Sequence, residues 1–448
     1  MAVITRKLFF QAYKIDKLFL ALFKIYLHSN IKTRMKFIDL FCGIGGFHTA
    51  LTRLGHQCVF ASDKDKYCRE VYKMNYDITP NDDVKKINPD DLEDFDIICA
   101  GFPCQPFSNA GKKKTFSDDR GLLFDEVIRL AKAKKPRFLF LENVKHILKV
   151  SDGQVMEYIK NKLKETGYTL QLFQMSPHRY GVPQQRERVY FICIREDIYK
   201  NRDVELMYPT IPESQIVFEN HLDEKESVPD KYFITGDLLA VLNAWDEMIK
   251  IFSVGEKISP TILVNEFYKT YTEEEFKKLA VWRQDYITKN KPLYEKYKDQ
   301  WDAWYQRHKD VLSKREIYAK LEWQVGTIKE NDSIFNYFIQ MRQSGIRVKK
   351  AKYFPTLVAI SQIPIYGKEK RYITPKECLR LQSFPDDFKL LQEDKHAYKQ
   401  LGNCVNVNNV TNVIESTLTM YSEWYIFPNP LVIYYKYQCS LYLGVFRY

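Results

Sequence analysis

From Met35 onward the chain alternates short apolar runs with longer stretches of helical periodicity. Lys36-Phe37-Ile38-Asp39-Leu40-Phe41 reads as a buried strand, residues 43 to 46 are glycine-rich, and a helical pattern opens at Phe47. A strand, a turn and a helix are predicted in that order. Further apolar runs at Cys58 to Ala61, Phe95 to Ala100, Phe138 to Leu141 and Val189 to Ile194 are separated by helical patterns such as Gly121 to Ala133 and Val155 to Glu165. Strands covered on both faces need such continuous runs. The alternation predicts an α/β fold with a mostly parallel sheet.

After about Arg195 that rhythm stops, and residues 236 to 345 become rich in tryptophan, tyrosine, lysine and glutamate, as a second domain would. There Tyr294, Tyr297, Trp301, Trp304, Tyr305 and His308 recur at three-and-four spacing, which fits an amphipathic helix burying aromatics and also fits rings that stack on DNA. A loop-like return from Tyr366 to Pro375 leads into helical segments at Pro375 to Gln382 and Val405 to Met420. The organisation expected is an N-terminal extension over 1–34, a first domain over 35–200, a second over 201–370, a return to the first over 371–420, and a tail over 421–448.

The 448 residues carry 68 lysines and arginines against 57 aspartates and glutamates, a formal charge of +11 that favours a polyanionic partner such as nucleic acid. The nine cysteines lack paired CxxC spacing, which fits neither a disulfide framework nor a zinc site and points to a reducing, cytosolic setting with no metal. The longest apolar run of the first 34 residues, Leu18 to Phe23, is too short for a secretory or membrane segment.

Gly43, Gly45 and Gly46, between a strand and a helix, allow either a tight turn or close approach of the backbone to a ligand at the carboxyl end of the sheet. Asp63, just after the next strand, is placed to accept hydrogen bonds from ribose hydroxyls, so an adenosine-containing cofactor is the combined expectation. Cys104 lies in Gly101-Phe102-Pro103-Cys104-Gln105-Pro106, a proline-flanked loop past a buried strand, where a thiol is exposed and is either inert or a nucleophile. The next strand ends in Glu142-Asn143, and strand ends on that edge converge on one crevice. Arg186 and Arg188 alternate into a later strand and point the same way, as a solvated edge or as paired cations.

Taken together, these segments resemble the ordered motifs of the cytosine-C5 DNA methyltransferase family, of the bacterial restriction-modification type. The resemblance runs from Asp39-Leu40-Phe41-Cys42-Gly43-Ile44-Gly45-Gly46-Phe47 through Gly101-Phe102-Pro103-Cys104-Gln105, Glu142-Asn143-Val144 and Gln185-Arg186-Glu187-Arg188. It resumes at Thr374-Pro375-Lys376-Glu377-Cys378-Leu379-Arg380-Leu381-Gln382 and ends at Gln400-Leu401-Gly402-Asn403. It is clear over about residues 35 to 200 and 370 to 412. Asp63-Lys64 stands where the family often has glutamate and a bulky apolar residue, and Cys404 stands where serine is common.

The resemblance implies a Rossmann-like domain that binds S-adenosylmethionine through Phe41, Gly43, Ile44, Gly45, Gly46, Asp63, Asp83, Pro103, Leu123 and Asn403, with a smaller inserted target-recognition domain. It implies catalysis by Cys104, Glu142 and Arg188 with Arg186 as a supporting cation, on a cytosine flipped out of double-stranded DNA. DNA contacts are expected from Gln105, Ser108 and Lys112 on the loop after Cys104, and from Arg342, Arg347 and Lys349, which are otherwise a charged surface. The resemblance further implies a monomer in the bacterial cytosol at the nucleoid, with a cognate restriction endonuclease in the same system. The tRNA-directed branch usually carries a Cys-Phe-Thr tripeptide that this chain lacks, and inactive relatives tend to lose the thiol or the carboxylate, both present here.

Overall fold

The computed structural model describes residues 34–103, 123–199, 201–350, 352–358 and 362–421. The first sheet is built from β1 (Lys36–Leu40), β2 (Gln57–Ser62), β3 (Ile97–Ala100), β4 (Phe138–Val144), β5 (Tyr168–Met175) and β6 (Arg188–Arg195), in the order β2-β1-β3-β4-β6-β5. β1 pairs in parallel with β2 and β3, and β3 with β4, so the expected parallel core is present. β6 runs antiparallel to both β4 and β5, an edge the apolar pattern did not foresee.

Helices α1 (Gly46–Arg53), α2 (Lys66–Tyr76), α3 (Leu123–Lys134) and α4 (Gln154–Glu165) connect the strands. Phe37, Cys99, Phe138 and Phe140 pack into one hydrophobic core, and Ile38, Leu40, Ile98, Leu139 and Leu141 into another on the opposite side, which is why successive positions of these strands are apolar. Strand order reverses between β1 and β3, and a crevice at the carboxyl ends of parallel strands opens at such a point.

The second sheet comprises β7 (Thr261–Leu263), β8 (Lys320–Gln324), β9 (Phe338–Arg342), β10 (Gly345–Lys349), β11 (Ile365–Tyr366) and β12 (Arg371–Tyr372), in the order β12-β11-β9-β10-β8-β7. The stretch read as a loop-like return from Tyr366 to Pro375 therefore contains a short antiparallel pair, Ile365 to Tyr372 and Tyr366 to Arg371. Helices α5 (Gly236–Ile251), α6 (Glu273–Lys278), α7 (Val281–Lys296) and α8 (Lys298–Ser313) accompany this sheet.

The aromatic stripe divides between α7 and α8, which meet at Tyr297, rather than lying on one helix. Trp301 and Trp304 are fully buried, and Trp304 donates its indole N–H to Ala244 O at 2.7 Å, so these rings are core.

Three helices close the fold: α9 (Pro375–Leu381), α10 (Asp394–Asn403) and α11 (Val407–Tyr421). The sequence Thr374-Pro375-Lys376-Glu377 starts α9 as a capping box with proline at the first helical position. Glu377 also takes both Nη atoms of the buried Arg371, at 2.9 and 2.8 Å, tying the second sheet to this helix. α10 was not expected from the sequence. α11 packs on α1, and the peptide between α10 and α11 lies over the glycine turn. A Cβ on Gly46 would stand 2.5 Å from Val405 Cγ2 and 3.0 Å from Val405 O. That contact admits only glycine.

Two substitutions test this packing. Trp301→Ala is expected to destabilise the protein by about 3–5 kcal/mol, read as a fall in the denaturant midpoint; an unchanged midpoint would return the aromatic stripe to a DNA-stacking role. Gly46→Ala is expected to lower the melting temperature, with Gly46→Ala/Val405→Ala recovering part of the loss because the second change removes Cγ2. Strict additivity of the two would show that Gly46 and Val405 do not press on each other.

Candidate active site

At the carboxyl end of β1 the chain turns through left-handed backbone at Phe41 (φ 53°), Gly43 (φ 53°) and Gly45 (φ 88°). Gly45 is required twice, by its φ and because a Cβ there would lie 2.3 Å from the Tyr76 ring. Gly43 faces open space, and its N–H donates to Asp63 Oδ2 at 2.8 Å. Asp63 Oδ1 accepts from Asp65 N at 2.8 Å. Burial raises the Asp63 carboxyl above its ordinary range, against the lowering effect of these amides.

Asn81 joins the end of β2 through Asn81 N to Ala61 O and Asp63 N to Asn81 O, which brings Asp83 beside this turn. Asp83 Oδ1 itself accepts from Lys85 N at 3.0 Å. Ile44 and Gly46 are buried, so a ligand would meet only their main chain. Phe41, Pro103 and Leu123 are half-buried, and Asn403 is exposed at the last position of α10. Open space over Gly43, next to a carboxylate with one lone pair of each oxygen still unused, fits the ribose of an adenosine group.

On the other side of β3 the Asn143 side chain donates to Phe102 O at 2.8 Å. A Cβ on Gly101 would lie 3.9 Å from Glu142 Oε2. The peptide leading to residue 104 thus runs alongside Glu142. The β4–β6 register places Glu142 opposite Tyr190 and Val144 opposite Arg188, so Glu142, Arg188 and Tyr190 share one face. Arg188 Nε stands 3.0 Å from Glu142 Oε1, an ion pair without hydrogen-bond alignment. Burial raises the Glu142 carboxyl, and Arg188 and then Arg186 oppose that rise.

Arg186 lies just before β6 and is fully buried. Its guanidinium donates to Leu357 O at 2.7 Å and to Gly402 O and Cys404 O at 2.9 Å, so its field reaches Glu142 while its hydrogen bonds hold the chain's return. Burial lowers this guanidinium to about 10. Sequence reasoning missed Val405, which packs on Gly46 and within 3.9 Å of a Gly101 Cβ, and Ser176, whose Oγ accepts from Arg186 N at 2.9 Å. Neither carries a local signal, since each acts only by proximity in space.

Cys104, Gln105, Ser108 and Lys112 lie outside the described residues. Arg342 ends β9, Arg347 pairs with Glu322, and Lys349 Nζ donates to Gln185 Oε1 at 2.8 Å. Among the described residues no helix is long and apolar enough to cross a membrane, and no cluster of His, Cys, Asp and Glu could hold a metal ion.

Residues 35–419 match the family described as C-5 cytosine-specific DNA methylase. The Type II methyltransferase M.HhaI of Haemophilus parahaemolyticus is 28% identical over 376 residues, 84% of this chain and 92% of its own. M.BanI of Aneurinibacillus aneurinilyticus, also a Type II methyltransferase, is 30% identical over 422 residues, 85% of this chain and 95% of its own. A methyltransferase of Entamoeba histolytica shares the fold at a TM-score of 0.52, with 18% identity over 88% of this chain and 100% of that one. A family match that spans both sheets, joined to a relative similar along almost its whole length, makes this chain a member of the C-5 cytosine-specific DNA methylases, a DNA cytosine-5-methyltransferase.

Proposed function

We propose that this enzyme flips a cytosine out of duplex DNA and methylates it through a covalent bond to Cys104. The observation that carries the reading is the Asn143 hydrogen bond to Phe102 O, two residues before Cys104, beside the Glu142–Arg188 pair. A cytosine stacked in a duplex cannot reach a site recessed at the end of the sheet, and unstacking one base costs about a few kcal/mol.

Cytosine C5 is a weak nucleophile. Addition of the Cys104 thiolate to C6 makes C5 an enamine carbon and sends negative charge toward N3 and O2. Glu142, whose proton burial helps to retain, hydrogen-bonds N3 and the exocyclic amine, while Arg188 holds O2. Arg186 fixes residues 402 to 404 as the adjoining wall. The Gly43 turn and Asp63 would hold S-adenosylmethionine, whose sulfonium would supply an electrophilic methyl group and leave as the neutral thioether. Once C5 carries that methyl, loss of the C5 proton and departure of the Cys104 sulfur restore the double bond and release 5-methylcytosine.

The names of the relatives support a role as the modification enzyme of a restriction-modification system. The same reading has the enzyme act as a monomer in the bacterial cytosol, without a stable complex with its endonuclease.

Incubation with radiolabelled S-adenosylmethionine and either duplex DNA or tRNA is expected to label the DNA; label in tRNA alone would overturn the substrate. Cys104→Ser is expected to bring turnover below detection while leaving the melting temperature unchanged. Undiminished methylation by that variant would remove the covalent step.

A further inference from the structure

The second sheet has two chemically different faces. Ile346 and Val348 of β10 join the lobe's core with Leu321, Trp323 and Ile339, whereas Arg347 and Lys349 alternate to the opposite side. Register puts Glu322 of β8 and Gln340 of β9 directly opposite Arg347, and Thr261 of β7 opposite Glu322. This polar face borders a cavity of about 550 Å³ whose wall includes Trp282, Tyr286 and Ser344.

Glu322 keeps only 8% of its side chain exposed, and its Oε2 accepts Arg347 Nε at 2.5 Å. Among the described residues, neither Nη of Arg347 nor Oε1 of Glu322 makes a hydrogen bond. An arginine anchored at Nε presents its two outer N–H groups side by side, with a carboxylate oxygen next to them. The array reads donor, donor, acceptor. Trp282 and Val281, at the start of α7 beside the cavity, are 54% and 81% exposed, more than packing of the lobe explains. The face also continues toward the first sheet, where Lys349 donates to Gln185 and the Phe338 ring packs at a tilt against Phe354, 4.4 Å between centroids.

We propose that Arg347 and Glu322 read one G·C base pair of the target sequence in the major groove, with both Arg347 Nη atoms on guanine N7 and O6 and Glu322 Oε1 on N4 of the paired cytosine. The inference rests on the reading of this chain as an enzyme of duplex DNA. A G·C pair shows acceptor, acceptor and donor in that groove, complementary in order to the array, whereas an A·T pair sets the N6 donor of adenine against an arginine donor. A phosphate would suit Arg347 but would be repelled by the carboxylate fixed beside it, so the acidic partner selects a base edge.

The test is to map methylated cytosines by bisulfite conversion on a random-sequence duplex library. The wild-type motif is expected to contain a fixed G·C pair besides that of the target cytosine. Arg347→Lys, which keeps the charge and loses the paired donors, is expected to relax that position by roughly 5- to 150-fold while the other positions hold. On the wild-type enzyme, 7-deazaguanine at that position is expected to reduce methylation over the same range, a readout independent of how any variant folds. An unchanged motif in Arg347→Lys, an equal loss of rate on every sequence, or indifference to 7-deazaguanine at each fixed guanine would overturn the inference. Failure of the wild type to methylate any duplex would instead overturn the reading on which it rests.

Discussion

The buried guanidinium of Arg186 lies against three main-chain carbonyls, those of Leu357, Gly402 and Cys404, drawn from two regions far along the chain. Carbonyls enclosed between packed helices and a sheet need donors, and leaving one unmet costs about 1–3 kcal/mol. One side chain meets three such needs, so the return of residues 402 to 405 to the glycine turn depends on it. Without that return Gly46 would lose Val405, which also stands 3.9 Å from where a Cβ on Gly101 would lie. The lowered but still basic guanidinium remains charged at neutral pH, and carbonyl dipoles rather than a carboxylate in contact stabilise it.

The same enclosure sets the electrostatics of Glu142. Burial favours its neutral form, while Arg188 at 3.0 Å and the more distant Arg186 favour the anion. A carboxyl poised between these pressures can give a proton to a ring nitrogen as negative charge develops there and regain it as that charge is withdrawn, which a solvated glutamate would do less well. Arg188, oriented by Glu142 on one side and by the Glu187 carbonyl at 2.8 Å on the other, faces the same space. Positioning and charge therefore come from one desolvated pocket.

The parts of this arrangement legible in the sequence are those written locally. β1 and its turn are visible because a strand covered on both faces is mostly apolar, as Phe37, Ile38 and Leu40 are, and because left-handed backbone favours glycine. β5 was missed because it is a half-buried edge in which Thr169, Gln171 and Gln174 break any apolar run. The short strands of the second sheet, two to five residues each, lack a window long enough for a period to emerge. Arg186 and Arg188 looked equivalent in sequence, and only contacts 171 to 218 residues away separate the one that ties the fold from the one that faces Glu142.

That separation falls within six consecutive residues that touch three parts of the fold. Pro183 O accepts Phe354 N at 2.7 Å, and the Gln185 side chain meets Lys349 at the edge of the second sheet. Arg186 then binds the C-terminal return, and Arg188 meets the Glu142 carboxylate. Arg186 and Arg188 take different partners because Arg186 lies before β6, under the C-terminal return, whereas Arg188 is the first residue of the strand and faces Glu142 across it. A displacement of residues 183 to 188 would therefore be felt at the second sheet, at the C-terminal return and at Glu142 together, because each of the three is bonded to a different residue of this short segment.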